Sequence, residues 1–186
     1  MSEIHQQIII SGVGGQGVLF VTRLMAEAAI VQKLPVLTSE THGMAQRGGT
    51  VISHLKVGEF ASPLIRHGRA DGMLALKAEG VAQFQGLVKP GGWIVANSAV
   101  PIETDDHLQA FFADADRVAI ELDNPKAVNL VMLGYCLGTV AEGTNADLSA
   151  DLTMNRVKAV LQSRLGDRKD LLKISVAALE AGFNSR

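Results

Sequence analysis

Three consecutive β-branched residues, Ile8, Ile9 and Ile10, follow two glutamines near the start of the chain. Such a run predicts a strand buried on both faces. Residues 18–31 are apolar on most faces, the pattern of a helix buried on several sides. Pro35 disfavours helical geometry at Leu34 and ends that helix. Residues 35–38 then read as a second, short strand. Residues 50–57 alternate well enough for another strand, turned by Gly58, and residues 70–76 suit a further buried strand. A helix is expected over about residues 78–87, then a turn at Lys89-Pro90-Gly91-Gly92, then a strand over residues 93–97. Together these make a second βαβ-like unit.

Residues 105–113 have the spacing of a short amphipathic helix with Asp105 or Asp106 near its cap. Residues 117–122 read as the next strand. Pro125 stands where a helix would begin, behind Asp123 and Asn124 as caps. That helix, residues 126–142, carries Asn129, Gly134, Cys136 and Gly138 in an otherwise apolar run, which predicts close packing against another element. Residues 143–147 break the chain, and residues 151–165 and 168–182 are expected to be helical. The expected fold is α/β: a single domain spanning residues 1–186, with a mostly parallel sheet of five to six strands flanked by helices and a helical C-terminal end.

A length of 186 residues supports one substantial core, and an aromatic content of 4% makes that core mostly aliphatic. Only 19% of residues are charged. Interface centres are depleted in charge, so this allows part of the surface, including that of a homodimer, to meet protein. A formal net charge of -2 argues against nucleic-acid binding, which needs a basic face. The one cysteine, Cys136, cannot form an internal disulfide and cannot hold an iron–sulfur cluster. No apolar run is long enough for a membrane helix and the N-terminus has no signal pattern. A cytoplasmic protein without a membrane partner is the expectation.

Two stretches carry candidate chemistry. Gly12-Val13-Gly14-Gly15-Gln16-Gly17 satisfies G-x-G-x-x-G between a strand and a helix, where backbone N–H groups can face an anion. The second is residues 39–49, a polar stretch expected to form a loop. Its candidate contact residues are Ser39, Glu40, Thr41, His42, Gln46 and Arg47. Arg47 offers a planar fork for carboxylate or phosphate, and His42 can donate or accept a proton. Glu40 stands about where a dinucleotide fold places its ribose-binding acid, so a stand-alone NAD- or FAD-binding protein is one reading. Gln16 weakens it, because an amide in the turn either meets a ligand or ties a neighbouring loop. No nucleophilic triad or metal-ligand spacing can be read, and no catalytic acid or base is assigned.

The glycine turn, the stretch from Ser39 to Gly49, the Lys89–Gly92 turn and Asn124-Pro125-Lys126-Ala127-Val128-Asn129 with Leu133-Gly134 resemble the gamma domain of 2-oxoacid:ferredoxin oxidoreductases. Within that family the resemblance is nearest to the small (beta) subunits that serve indolepyruvate, and it spans about residues 8–182. It implies a subunit, inactive alone, of an enzyme that oxidatively decarboxylates a 2-oxoacid with coenzyme A as co-substrate and ferredoxin as electron acceptor. It further implies that thiamine diphosphate, its Mg ion and the iron–sulfur clusters sit on a large (alpha) partner subunit and that this chain alone binds no cofactor. The glycine turn and polar loop would then face the composite active site or the coenzyme A path. A third reading keeps the same complex but leaves this chain only a docking role.

Overall fold

The computed structural model describes residues 5–42, 49–143 and 152–185. Its centre is one six-stranded sheet, β1 (Gln6–Val13), β2 (Val36–His42), β3 (Thr50–Val57), β4 (Ala70–Ala75), β5 (Val88–Asn97) and β6 (Gln109–Ala113). The spatial order is β2-β3-β1-β4-β5-β6. β1, β4, β5 and β6 pair in parallel, while β3 runs against both β1 and β2. The mostly parallel sheet is thus observed, with β3 the one reversed strand among the described residues.

The isoleucine run behaves as its pattern dictates. Ile8, Ile9 and Ile10 are all fully buried. Because a strand alternates its side chains, Ile8 and Ile10 enter the core on one face and Ile9 the core on the other. The first face is covered by α1 (Val18–Ile30), α4 (Val128–Gly143), α5 (Met154–Leu165) and α6 (Lys169–Asn184). The second is covered by the short α2 (Glu79–Phe84) and by the segment around Ile65. α1 begins and ends nearly where the pattern places it, and Lys33, at φ 62°, turns the chain out of it.

The small residues of α4 pack as expected. α4 and α6 approach so closely that a Cβ on Gly134 would overlap the Leu179 carbonyl oxygen, and one on Gly182 would overlap the Val131 carbonyl oxygen. Cys136 is fully buried on the same helix, and burial pushes its thiol well above the ordinary range, so it stays protonated.

Four local expectations are corrected. Residues 105–113 are not a helix: residues 109–113 form β6, in parallel register with β5 from Trp93↔Gln109 to Asn97↔Ala113. Phe111 packs on one side of the sheet and Phe112 on the other, a period of two that only a strand provides. Residues 117–122 are not a strand: residues 117–121 belong to α3 (Ala115–Glu121) and Leu122 follows it. The helix is started by the Asp114 carboxylate, which accepts the Arg117 N–H at 3.0 Å. Ala115 and Ala119, one turn apart, face the core. Arg117 pairs with Glu121 at 2.8 Å on the outer side. Pro125 opens a single 3₁₀ turn, Pro125–Ala127, without a side-chain cap from Asn124, and α4 starts after it. Lys89-Pro90-Gly91-Gly92 lies in a bulged start of β5, where the register slips between Ala70↔Val88 and Gly72↔Trp93. There Lys89 bonds Asp71 at 2.5 Å, and Asp71 accepts the Gln7 N–H at 2.7 Å.

His54 on β3 faces the second core. Its Nδ1 accepts the Ile65 N–H at 3.3 Å. Acceptance at that nitrogen requires a neutral ring. Burial, with a smaller contribution from the Lys56 ammonium, holds it below the usual imidazole range. Lys56 itself is buried over the Phe60 ring, 4.9 Å from its centroid.

Two outcomes are expected. Replacing Gly134 or Gly182 with Ala should cost about 3 kcal/mol through overpacking, read from urea unfolding. For His54, the unfolded side chain takes up its proton as pH falls through 6.5, while the folded one resists until a lower pH. Its contribution is therefore whole above 6.5 and lost progressively below. Unfolding curves collected from about pH 7.5 to about pH 5 should show stability falling at the acid end, and His54→Gln should flatten that slope.

Candidate functional site

Parallel strands present their carboxyl ends together, and ligands of open α/β sheets bind there, where neighbouring strands send their connections to opposite faces. β1 and β4 are such a pair. From β1 the chain passes into α1 on the first face; from β4 it passes into α2 on the second. Between their ends lies a crevice of about 250 Å³ lined by Gly12, Val13, Thr50, Lys77, Glu79, Gly80 and Gln83.

The glycine turn forms one wall. Gly15 (φ 91°) and Gly17 (φ 83°) occupy left-handed conformations that a side chain would strain. Gly17 is also the residue before α1, and the Asn129 side-chain amide packs directly on it. Gln16 does not point at a ligand: its Oε1 accepts the Val13 N–H at 2.8 Å and its Nε2 reaches the Leu76 carbonyl at 3.5 Å. Of the two roles the sequence leaves open, the geometry gives Gln16 the tie.

The Leu76 peptide is where three strand ends are joined. Its N–H donates to the Ser11 carbonyl at 2.8 Å. Its carbonyl accepts from Gln16 and, at 3.3 Å, from the buried Asn97 amide at the end of β5. Asn97 also donates to the Asp116 carboxylate at 2.8 Å and accepts the Ala115 N–H at 3.0 Å, which fixes the start of α3. β1, β4, β5 and the glycine turn are thereby held in one arrangement.

The second predicted stretch begins as a strand. Ser39, Glu40, Thr41 and His42 belong to edge strand β2, paired antiparallel to β3 from Ser39↔His54 to His42↔Val51. Pairing supplied by β3 overrides their polar composition. Gln46 and Arg47 lie outside the described residues. The Gly49 carbonyl accepts the Gly14 N–H at 3.0 Å, and Thr50 opposite Val13 lines the crevice. The glycine turn and the far end of the polar stretch therefore meet. Glu40 does not join them, because β3 stands between β2 and β1 and sets Glu40 two strand spacings to the side. An acid there does not complete a dinucleotide fingerprint.

Sequence reasoning missed Lys77, Glu79, Gln83 and Asn97. The available signal was positional: Leu74-Ala75-Leu76 is an apolar strand end followed at once by Lys77, where α/β sheets place ligand contacts. A second cleft of about 450 Å³ opens at the ends of β5 and β6, between Val100, Phe112, Arg117 and Tyr135. Its guanidinium is already answered by Glu121.

The sequence pattern described as pyruvate ferredoxin/flavodoxin oxidoreductase matches residues 7–185. The chain belongs to that family. Over 197 residues, 95% of this chain and 93% of the relative, it is 41% identical to the indolepyruvate oxidoreductase subunit IorB of Archaeoglobus fulgidus. The gamma subunit of a keto/oxoacid ferredoxin oxidoreductase from Geobacter sulfurreducens has the same fold, with a TM-score of 0.74 and 23% identity over 96% of each chain. A 2-oxoglutarate:ferredoxin oxidoreductase from Magnetococcus marinus, solved with 2-oxoglutarate, coenzyme A and succinyl-CoA, contains the fold within a longer chain. The TM-score is 0.76 and the identity 21%, covering 98% of this chain and 31% of that one. The gamma-subunit fold of this oxidoreductase family is thus the fold of this chain, and its relatives are subunits of multi-subunit enzymes. No helix among the described residues is long and apolar enough to cross a membrane.

Removing the Gln16 side chain should leave the Val13 N–H unpaired and loosen the turn. Gln16→Ala is expected to lose about 1–2 kcal/mol of stability and to speed hydrogen exchange at Val13 well beyond that at Ile9.

Proposed function

We propose that this chain is the small, gamma-type subunit of a 2-oxoacid:ferredoxin oxidoreductase of the indolepyruvate kind, and that its residues 1–186 act as one catalytic-type domain. The complex decarboxylates a 2-oxoacid oxidatively to an acyl-CoA and passes the electrons to ferredoxin. The observation that carries this reading is the IorB likeness, 41% identity over nearly the full length of both chains. The carboxyl edge of the sheet supports it. There the glycine turn of Gly12, Gly14, Gly15, Gln16 and Gly17 adjoins the start of β3, so that the two form one rigid wall.

In this reading the thiamine diphosphate, its Mg ion and the iron–sulfur clusters are carried by a large alpha subunit. The chemistry of the donors here favours that division. A single thiol, buried and held protonated, does not fit a cluster that needs several thiolates. This chain's part is to supply polar contacts to coenzyme A or to the partner: N–H groups of the glycine turn with the Lys77 ammonium at one place, and separately the stretch containing Ser39, Glu40, Thr41, His42, Gln46 and Arg47. Coenzyme A bound in the Magnetococcus marinus enzyme supports that class of ligand. The dinucleotide alternative is not favoured, since Glu40 stands away from the turn.

The test is reconstitution. Co-expressed with the large subunit from the same organism, the chain should co-purify and reduce ferredoxin in the presence of an aryl 2-oxoacid and coenzyme A; either subunit alone should not. In the assembled enzyme, Gln46→Ala with Arg47→Ala should lower activity. Full activity of that variant would reduce the stretch to a docking role, and tight NAD binding by the isolated chain would overturn the reading.

A further inference from the structure

We propose that Lys77 is an anion-binding residue of the β1/β4 crevice, holding a phosphate or carboxylate group of a substrate. This rests on the chain working within a 2-oxoacid oxidoreductase complex, whose substrates both carry such groups.

The first ground is that Lys77 is half-buried and has no acid bonded to it. A charge taken partly out of water is costly unless a counter-charge answers it. Two other partly buried cations are answered by acids: Lys158 bonds Glu180 at 2.5 Å and Arg164 bonds Glu27. The buried Lys56 lies over the Phe60 ring. The Lys77 ammonium makes no ion pair or hydrogen bond among the described residues, although the residue lines a concave site. Glu79, in the first turn of α2, lies on the exposed rim, where solvent screens it, and does not bond Lys77.

The second ground is preorganisation. The residue immediately before Lys77 is fixed at both its backbone polar atoms, the Leu76 N–H by the Ser11 carbonyl and the Leu76 carbonyl by Asn97 and Gln16. A long flexible side chain thus starts from a rigid base, and less freedom is lost when it engages a ligand. The third is size. At about 250 Å³ the crevice is smaller than the pockets that enclose whole ligands. It fits one anionic end of a molecule whose remainder lies on the partner.

The experiment uses the reconstituted complex, with the wild-type complex measured first. An inactive wild-type complex would count against the assembly reading and not against Lys77. In Lys77→Met, loss of one charge-assisted contact should raise the KM of one anionic substrate about tenfold while kcat stays within about twofold. Lys77→Arg should recover most of that loss. If the affected substrate is coenzyme A, the difference between wild type and Lys77→Met should disappear when pantetheine, which lacks the phosphates, replaces it. If it is the 2-oxoacid, the KM for coenzyme A should not move. Unchanged KM values for both substrates in an assembled Lys77→Met enzyme would overturn the proposal. Failure of that variant to assemble would overturn it too, in favour of a partner contact.

Discussion

β1 has no face turned to water, and the rest of the molecule follows from that constraint. Ile8 and Ile10 need an apolar layer on one side and Ile9 needs one on the other. Each fully buried aliphatic side chain contributes about 1.5–3 kcal/mol, so leaving either face bare would be prohibitive for a domain of ordinary stability. Helices α1, α4, α5 and α6 close the first face; α2 and the segment around Ile65 close the second. The unequal coverage follows from the connections, since most of the described helices lie on the side onto which β1 delivers the chain.

A strand covered on both faces can act only through its ends. The same arrangement that buries β1 therefore places its glycine turn at the carboxyl edge, beside the end of β4 and the start of α2. What makes that edge a defined surface is the Leu76 peptide, bonded to Ser11, Gln16 and Asn97. Gln16 commits its amide to backbone groups, and Asn97 to backbone groups and the Asp116 carboxylate, and so they set the shape of the edge without lining the crevice themselves. Lys77, one residue beyond, lines the crevice with no acid bonded to it among the described residues.

On the proposed division of labour, a subunit with one inert cysteine belongs naturally to a redox enzyme. On that proposal the electron chemistry belongs to the partner, and this domain offers backbone donors and a cation on one edge. The close α4–α6 contact, with Gly134 and Gly182 at the crossing, lies within the first-face core.

By itself the sequence determined the strands and helices whose burial is one-sided or complete. The isoleucine run, α1, β3, β4, the end of β5 and the two C-terminal helices are legible because apolar periodicity along the chain already names their state. The glycine turn is legible too, since Gly15 and Gly17 need conformations that other residues avoid. Tertiary structure decided the rest. Residues 109–113 and 115–121 exchange their expected states because pairing with β5 puts Phe111 and Phe112 on opposite faces, while Asp114 caps the helix that follows. Ser39–His42 form a strand because β3 lies alongside, and that same strand separates Glu40 from the turn. The role of Gln16 and the exposure of Lys77 to a crevice depend on Leu76 and Asn97, which lie far from the glycine turn along the chain. Contacts of that range leave no periodic trace in a sequence, because each is set by where the sheet brings two distant ends together.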